Sequence, residues 1–222
     1  MPATLPEIRA LIFDLDGTLI DSEQDLINST NAMLRELGRP QLPPQTVSSF
    51  IGHGAARLAA RAMGSSATDA QISQALQIFL HIYEAHKLDH TRAYPSVPEA
   101  LEKLFPIPMA VLTNKPTAIS ESILQALNLA KYFRAIYGGD SFPAKKPDPQ
   151  GAITILQAFG VPPSAALLVG DSDVDVTTAR NAGMRAAAVN YGFGLHDRTA
   201  VPADIYLDRL TDLVPLLNVP PS

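Results

Sequence analysis

Hydrophobic residues occur along this chain mainly in short unbroken runs, each of which ends at a polar or glycine-rich turn. Runs of this kind are typical of strands that are buried on both faces of a parallel sheet. Between most of the runs, hydrophobic residues recur at helical spacing instead, and this alternation predicts a doubly wound α/β fold. The predicted strands are 10–13, 109–112, 135–137, 166–169 and 186–189, and the predicted helices between them are 98–104, 117–127, 149–159 and 174–182.

The alternation is interrupted after the first predicted strand, because no second strand is predicted before residue 109. Hydrophobic spacing in this stretch predicts helices over 22–37, 54–63 and 69–86, with Ser22 and Asp69 as N-caps. We therefore predict a core domain that carries a helical insert acting as a cap. The predicted bounds are 20–91 for the insert and 1–19 plus 92–222 for the core, with linkers near 20–22 and 89–94.

Composition narrows the classes of protein that fit. Lys and Arg total 17 against 22 Asp and Glu, which gives a net charge of −5 and no basic stripe for a nucleic acid. The absence of cysteine excludes disulfides, thiol catalysis and cysteine-ligated metal centres. The first residues lack the pattern of a signal peptide, and no apolar run approaches the roughly 18 residues of a membrane helix. We therefore expect a cytoplasmic protein without nucleic-acid or membrane partners, and its oligomeric state, monomer or homodimer, stays open.

Charged and hydroxyl-bearing residues cluster in the segments beyond the predicted strands. In a doubly wound sheet, ligands bind beyond the carboxyl ends of the strands, so these segments are expected to meet at one site. Each segment alone is also typical of a solvated turn or a helix cap, but four of them in order favour a functional site. They are Asp14-Leu15-Asp16-Gly17-Thr18, Thr113-Asn114-Lys115, Lys145-Lys146-Pro147-Asp148-Pro149 and Gly170-Asp171-Ser172-Asp173-Val174-Asp175.

The acidic residues of these segments predict a site for a hard cation. Asp14 and Asp16 are two residues apart, so an extended chain presents both on one side. Asp171 and Asp175 would join them from a neighbouring strand. Crowded carboxylates repel one another unless a cation intervenes. Because the potential ligands are oxygens, without His or Cys, Mg²⁺ is the expected ion.

The same segments predict an anion site beside the cation. Together with Mg²⁺, Lys146 would let this net-acidic protein hold a phosphate group. Free backbone N–H groups at the start of the Asp16-Gly17-Thr18 turn and of the following helix could surround phosphate oxygens. The expected partner is therefore a small phosphorylated metabolite.

These motifs resemble those of a haloacid-dehalogenase-superfamily phosphatase with an α-helical cap inserted after the first motif. Within that superfamily the chain is most similar to phosphoglycolate phosphatases. It departs from the subfamily's pattern at Ser96, where the subfamily often has Gly. The residues that carry the resemblance are Asp14-Leu15-Asp16-Gly17-Thr18-Leu19-Ile20-Asp21-Ser22, Thr113-Asn114-Lys115-Pro116, Lys146-Pro147-Asp148-Pro149, Gly170-Asp171-Ser172-Asp173-Val174-Asp175 and, for the subfamily, Ile51-Gly52-His53-Gly54, Leu58, Arg61-Ala62, Tyr94-Pro95 and Tyr191-Gly192.

The resemblance implies hydrolysis of a phosphate monoester through an aspartyl-phosphate intermediate. Asp14 would be the nucleophile that attacks phosphorus. Asp16 would protonate the leaving oxygen and then deprotonate the water that hydrolyses the intermediate. Thr113 and Asn114 would bind the phosphoryl oxygens, and Lys146 would neutralise their charge and that of Asp14. The implied Mg²⁺ ligands are the Asp14 carboxylate, the Asp16 backbone carbonyl and Asp171, with Asp175 supporting them from outside or through water.

The insert is the part of the chain expected to select the substrate. His53, Arg57 and Arg61 lie four residues apart, so they share one face if 53–61 is helical. Arginine binds carboxylates bidentately, which would suit 2-phosphoglycolate. A solvated helix face explains the same spacing, so this alternative stays open.

Other functions share parts of this pattern. A β-phosphoglucomutase-type mutase shares the cap, Asp14 and Asp16, but its fourth motif usually carries Glu-Asp where this chain has Gly170-Asp171. A dehalogenase lacks the counterpart of Asp16 and needs no metal. A non-catalytic binding protein on the same fold would have lost at least one catalytic residue, and none is lost. A broad-specificity phosphatase acting on sugar phosphates, nucleotides or pyrophosphate stays open.

Overall fold

In a computed structural model, which describes residues 7–194 and 196–217, a six-stranded parallel sheet forms the centre of the protein. The strands of the described chain are β1 (Ala10–Phe13), β2 (Ile20–Asp21), β3 (Arg92–Ala93), β4 (Met109–Leu112), β5 (Ala135–Tyr137), β6 (Ala166–Gly170), β7 (Arg185–Val189) and β8 (Ile205–Leu207). The sheet has the order β5-β4-β1-β6-β7-β8, and every pairing in it is parallel. The predicted α/β fold class is confirmed.

Burial of the strands on both faces explains their unbroken hydrophobic sequences. In β1, Leu11 and Phe13 belong to one hydrophobic core, whereas Ala10 and Ile12 belong to a second. Successive side chains of a strand point to opposite faces of a sheet, so each core receives alternate residues. All five predicted strands are present, and β8 is an additional strand that was not predicted.

Helices connect the strands and also form the insert. Every predicted helix is present, and each of its ends lies within one residue of the prediction. None of the helices described is long and apolar enough to cross a membrane. The helices are α1 (Glu23–Glu36), α2 (Pro44–Ser48), α3 (Ala55–Met63), α4 (Asp69–His86), α5 (Val97–Leu104), α6 (Thr117–Ala126), α7 (Gln150–Phe159) and α8 (Asp173–Asn181), with 3-10 turns at Ala130–Tyr132, Pro163–Ala165 and Leu210–Leu216.

The helix caps in the insert differ from those predicted. Helix α4 is capped by Thr68 rather than Asp69, because Thr68 and Gln71 exchange hydrogen bonds of 3.3 and 2.9 Å in a capping box. Ser22 occupies the N-cap position of α1, but its side chain makes no capping hydrogen bond. The Ser22 hydroxyl donates instead to Asp16 Oδ1 at 2.6 Å. The start of the insert is thus tied to the first acidic motif.

Two short strands connect the insert to the rest of the chain. β2 and β3 pair in antiparallel fashion, with Ile20 opposite Ala93 and Asp21 opposite Arg92. The two predicted linkers therefore form a single paired connection. Between them, helices α1, α3 and α4 pack against one another.

The sheet order determines where the functional segments meet. β1 lies between β4 and β6 in the middle of the sheet. Because the strands are parallel, the segments that begin at Asp14, Thr113 and Asp171 leave the sheet at the same edge. The insert touches this edge, since the side-chain amide of Asn114 donates to the carbonyl oxygen of Gly52 at 2.9 Å.

Candidate active site

Three buried carboxylates lie together at this edge of the sheet. Asp14, Asp171 and Asp175 each place an oxygen within 4.8 Å of the others. Burial raises the pKa of Asp14 to about 6 and raises the pKa of Asp171 well above its usual value, and nearby carboxylates add to both shifts. The three carboxylates offer only oxygen ligands, and burial disfavours their negative charge. A hard divalent cation such as Mg²⁺ would offset that charge and prefers oxygen ligands.

Lys146 supplies positive charge to the acidic group. Its ammonium nitrogen lies 2.9 Å from Asp14 Oδ1 and donates a hydrogen bond of 2.6 Å to Asp175 Oδ1. Burial acts in the opposite direction, but the two carboxylates raise the pKa of Lys146 above its usual value. Asp175 Oδ2 accepts a hydrogen bond of 2.6 Å from the Ser172 hydroxyl. Because both of its oxygens are engaged, Asp175 is better placed to hold Lys146 than to contact a metal directly.

The Asp16 side chain is turned towards the insert. Its Oδ1 accepts a hydrogen bond from the Ser22 hydroxyl, and the Lys115 ammonium lies 2.8 and 3.0 Å from its two oxygens. Asp16 is therefore separate from the group formed by the other acidic side chains. Any contact from Asp16 to a metal would come from its backbone carbonyl, in line with the expectation from sequence.

The segment after β4 lies against the same space. Thr113 and Asn114 line a cavity together with Asp14. Asn114 Oδ1 accepts from the backbone N–H of Lys146 at 3.0 Å, and Asn114 Nδ2 donates to the carbonyl oxygens of Lys146 and Gly52 at 3.2 and 2.9 Å. These contacts occupy the side-chain amide. A bond from Asn114 to a phosphoryl oxygen would therefore use its backbone N–H.

Two N–H groups of the Gly17 turn bond within the turn itself. The N–H of Gly17 donates to the Ile20 carbonyl oxygen at 2.9 Å, and the N–H of Thr18 donates to the Leu15 carbonyl oxygen at 3.2 Å. Both groups are therefore used inside the turn, and the expectation of a phosphate cradle stays a prediction for the N–H groups at the start of the turn. The turn closes on itself because Gly17 adopts a φ of 79°.

Gly17 instead allows a close approach to Asp171. A Cβ atom at Gly17 would lie 1.9 Å from Asp171 Oδ2, so a side chain there would displace the carboxylate. The backbone N–H of Gly194 donates to the same oxygen at 2.6 Å. From the same loop, the Tyr191 hydroxyl donates to the Thr18 carbonyl oxygen at 2.8 Å. The Asp171 carboxylate is thus fixed between two backbone segments.

A small cavity lies between the insert and the sheet edge. Its volume is about 40 Å³. Asp14, Asp16, Thr113 and Lys115 line its polar end. The insert supplies an apolar wall, which consists of Leu26, Ile51, Leu58, Phe79, Leu80 and Tyr83.

Two of the insert residues predicted to select the substrate, Arg57 and Arg61, lie away from this cavity. Helix α3 begins at Ala55, so the condition of a helix over 53–61 is not met and His53 does not share a helical face with Arg57 and Arg61. Arg57 and Arg61 line a separate surface groove. The Arg61 guanidinium donates to the Ser49 carbonyl oxygen at 3.1 Å. Their positions match the solvated-face alternative.

His53 is half-buried in the loop between Gly52 and Gly54. Burial lowers the pKa of its imidazole, and the positive charges of Arg57 and Arg61 lower it further. The neutral ring is therefore favoured. Its Nδ1 is buried and has no hydrogen-bond partner among the described residues.

Two residues at the cavity were given no role by the sequence. Lys115 directly follows Thr113 and Asn114, so the rule that ligands bind at strand ends could have singled it out. Tyr83 belongs to the apolar side of α4, and nothing in its spacing distinguishes it from other packed residues. The Lys115 nitrogen lies 4.5 Å from the centre of the Tyr83 ring, and both side chains are buried.

Known proteins share this arrangement over most of the chain. Residues 11–189 match the family model described as haloacid dehalogenase-like hydrolase. The chain is 40% identical to the phosphoglycolate phosphatase of Pseudomonas savastanoi pv. phaseolicola, over 93% of this chain and 79% of that protein. It is 37% identical to the phosphoglycolate phosphatase of Chromobacterium violaceum, over 96% of this chain and 98% of that protein.

A solved structure shows the same similarity in three dimensions. The crystal structure of a predicted phosphoglycolate phosphatase from Haemophilus somnus superposes with a TM-score of 0.89 at 31% identity. The match covers 95% of this chain and 98% of that one. It therefore includes both the sheet and the helical insert.

Proposed function

This chain belongs to the haloacid dehalogenase-like hydrolase family and is a phosphoric monoester hydrolase, and from this premise we propose that it converts 2-phosphoglycolate to glycolate and phosphate with Mg²⁺ as cofactor. The reaction proceeds through an aspartyl phosphate on Asp14. The observation that carries the proposal is the setting of Asp14, a buried carboxylate that Lys146 contacts beside Asp171 and Asp175.

The carboxylates of Asp14 and Asp171 and the backbone carbonyl of Asp16 would hold Mg²⁺, with Asp175 behind them. When bound, the ion supplies positive charge that offsets the carboxylates and the phosphate. The raised pKa values of Asp14 and Asp171 support this assignment, because a nearby cation favours the ionised form of a buried carboxylate.

In the first half of the reaction, Asp14 attacks phosphorus and the bond from phosphorus to the ester oxygen breaks. Asp16 gives its proton to that oxygen, so glycolate leaves as an alcohol. Lys146 offsets the negative charge on Asp14 and on the transferred group. The Thr113 hydroxyl and the Asn114 backbone N–H bind the phosphoryl oxygens.

In the second half, a water molecule attacks the phosphorus of the aspartyl phosphate. Asp16, now ionised, accepts the proton of this water. The bond from phosphorus to the Asp14 oxygen breaks, and inorganic phosphate leaves. Both carboxyl groups then return to their starting states.

We further propose that residues 20–91 act as a cap on a core of 1–19 plus 92–222, of which 1–6, 195 and 218–222 lie outside the described residues. The cap would exclude water from the reaction. The cavity beside Asp14 and Asp16 has an apolar wall that belongs to the insert, as expected for a cap that excludes water. The names of the relatives at 37% and 40% identity support phosphoglycolate as the substrate.

The backbone at Gly170 argues against the mutase that shares these motifs. A Cβ atom at Gly170 would lie 2.2 Å from Asp175 Cβ and Cγ. The glutamate that such mutases usually carry at this position therefore has no room unless Asp175 moves. Asp175 is held by Lys146 and Ser172, so this movement would disrupt the site.

A panel of phosphate esters tests the proposed function. The purified protein should show a higher kcat/KM for 2-phosphoglycolate than for glucose 6-phosphate, a nucleoside monophosphate or pyrophosphate. EDTA should abolish phosphate release, and added Mg²⁺ should restore it. Similar kcat/KM values across the panel would favour the broad-specificity alternative, and full activity in metal-free buffer would contradict the proposed cofactor.

A further inference from the structure

The ammonium group of Lys115 is enclosed at the boundary between the core and the insert. Its side chain is 3% exposed and pairs with both oxygens of Asp16. Burial opposes ionisation, but the Asp16 carboxylate raises the pKa of Lys115 above its usual value. Lys115 is therefore a positive charge inside the cavity, next to the proposed acid and base.

The insert places Tyr83 opposite this charge. Tyr83 is 1% exposed and stacks on Phe79 in α4. Its hydroxyl is buried and has no hydrogen-bond partner among the residues that the structure describes. A buried hydroxyl without a partner is energetically unfavourable, so it indicates a place for a missing acceptor. Burial raises the pKa of Tyr83 to about 12, which keeps the hydroxyl protonated as a donor.

We propose that Lys115 and Tyr83 together bind the carboxylate of the substrate's leaving group, Lys115 through its ammonium and Tyr83 through its hydroxyl. This inference rests on the proposed function, because it concerns the substrate of the same site. It assigns recognition of the carboxylate to one residue of the core and one of the insert. Neither Arg57 nor Arg61 takes part, since both line a different groove.

The spacing of groups in 2-phosphoglycolate matches the spacing in the site. One methylene group separates the ester oxygen from the carboxylate, so the cation that binds the carboxylate must lie close to the acid that protonates the oxygen. Lys115 Nζ lies 2.8 and 3.0 Å from the oxygens of Asp16. Of the described residues that line the cavity, Lys115 alone carries a positive charge.

The pairing of Lys115 with Asp16 also lets the substrate carboxylate contribute to selectivity. Before substrate binds, Lys115 holds the carboxylate of Asp16. A substrate carboxylate that takes over Lys115 frees Asp16 to take up a proton from solvent and then to give it to the ester oxygen. An ester without a carboxylate leaves the pair of Lys115 and Asp16 in place, so it should react more slowly even when its size is the same.

Two substrates of similar length separate this role from general catalysis. 2-Hydroxyethyl phosphate carries a neutral hydroxymethyl group where 2-phosphoglycolate carries a carboxylate. The measured quantity is the ratio of kcat/KM for 2-phosphoglycolate to kcat/KM for 2-hydroxyethyl phosphate. It is compared in the wild type, Lys115→Met, Tyr83→Phe and, as a matched control, the exposed Lys131→Met.

The expected result is a large ratio in the wild type and in Lys131→Met. Lys115→Met should reduce this ratio roughly ten- to hundred-fold, the usual effect of losing a charged hydrogen bond. Tyr83→Phe should reduce it about three- to ten-fold, because it loses a neutral donor. Inhibition by glycolate should weaken in parallel, which reports binding without turnover.

Each contrary outcome has a distinct meaning. A wild-type ratio near one would overturn the proposed substrate together with this inference. A large wild-type ratio that either variant keeps in full would overturn the shared carboxylate site and leave the proposed function standing. Should Lys115→Met fail to fold, Tyr83→Phe decides alone, since it removes one atom that has no partner in the described structure.

Discussion

At the scale of single residues, the candidate site depends on ion pairs that water hardly reaches. The side chains of Lys146, Asp14 and Asp175 are 2%, 9% and 1% exposed. Buried ions lose their hydration and stay charged only where opposite charges lie close by. Lys146 is therefore required for the stability of the fold as well as for the reaction.

Lys146→Met keeps the length of the side chain but removes its charge. We expect the free energy of unfolding to fall by about 3–5 kcal/mol, because removing one partner leaves buried carboxylates uncompensated. Phosphate release from 2-phosphoglycolate should also be lost. Urea denaturation and a phosphate assay measure the two effects.

The neighbouring Lys145 is exposed and provides the control. Lys145→Met should change the free energy of unfolding by no more than about 0.5 kcal/mol. If Lys146→Met proves as stable as this control, the structural role assigned to Lys146 is wrong.

At the scale of elements, Asp25 joins α1 to the segment that leads into β3. Its buried carboxylate accepts hydrogen bonds from the backbone N–H groups of His90 and Thr91 at 3.0 and 2.8 Å and from the Thr91 hydroxyl at 2.8 Å. Burial opposes the effect, but these hydrogen bonds lower the pKa of Asp25. The two ends of the insert are thereby held together.

Asp25→Asn should weaken this connection in a pH-dependent way. A carboxyl group whose pKa is lowered by folding adds stability above its unfolded pKa, here 3.8, and loses that contribution as the pH falls through the folded value. We expect the variant to lose about 1.5–3 kcal/mol of unfolding free energy at neutral pH. The difference from the wild type should shrink as the pH falls below 3.8.

Urea denaturation of both proteins across this pH range makes the measurement, with the exposed Asp69→Asn as the control. A stability difference that stays constant through the acid range would mean that the charge of Asp25 contributes nothing. The hydrogen bonds would then act only through their geometry.

The elements that the sequence predicts well are those whose own hydrophobic pattern indicates which of their faces are buried. β1 and α4 are examples, since one is an unbroken apolar run and the other has helical spacing. β8 contains only Ile205–Leu207 and follows Pro202, and it forms because β7 offers an edge to pair with. β2 and β3 are two residues each, so each depends on the other rather than on its own sequence.

At the scale of the whole molecule, sheet topology explains which site residues could be predicted. Asp14, Thr113 and Asp171 end adjacent parallel strands, so their approach follows from the fold class. The pairing of Lys115 with Tyr83 could not be predicted in this way. It depends on how the insert folds over the sheet, which hydrophobic spacing does not encode.

The proposed mechanism depends above all on Asp14 carrying the phosphoryl group during turnover. The reaction of the Asp16→Asn variant with p-nitrophenyl phosphate and Mg²⁺ tests this role of Asp14. Nitrophenolate leaves without needing a proton, so the aspartyl phosphate can still form. Hydrolysis of the aspartyl phosphate still needs a base, which this variant lacks. Loss of that base should slow steady turnover about 10²–10⁴-fold. The intermediate should then accumulate, and borohydride reduction after an acid quench converts an aspartyl phosphate to homoserine.

Peptide mass spectrometry of the quenched protein is the decisive measurement. We expect Asp16→Asn to give a burst of one nitrophenolate per active site and homoserine at position 14 whenever the ester is present. Asp14→Asn should give neither. A nitrophenolate burst by Asp16→Asn with an unmodified Asp14, or homoserine at another position in that variant, would contradict the assignment.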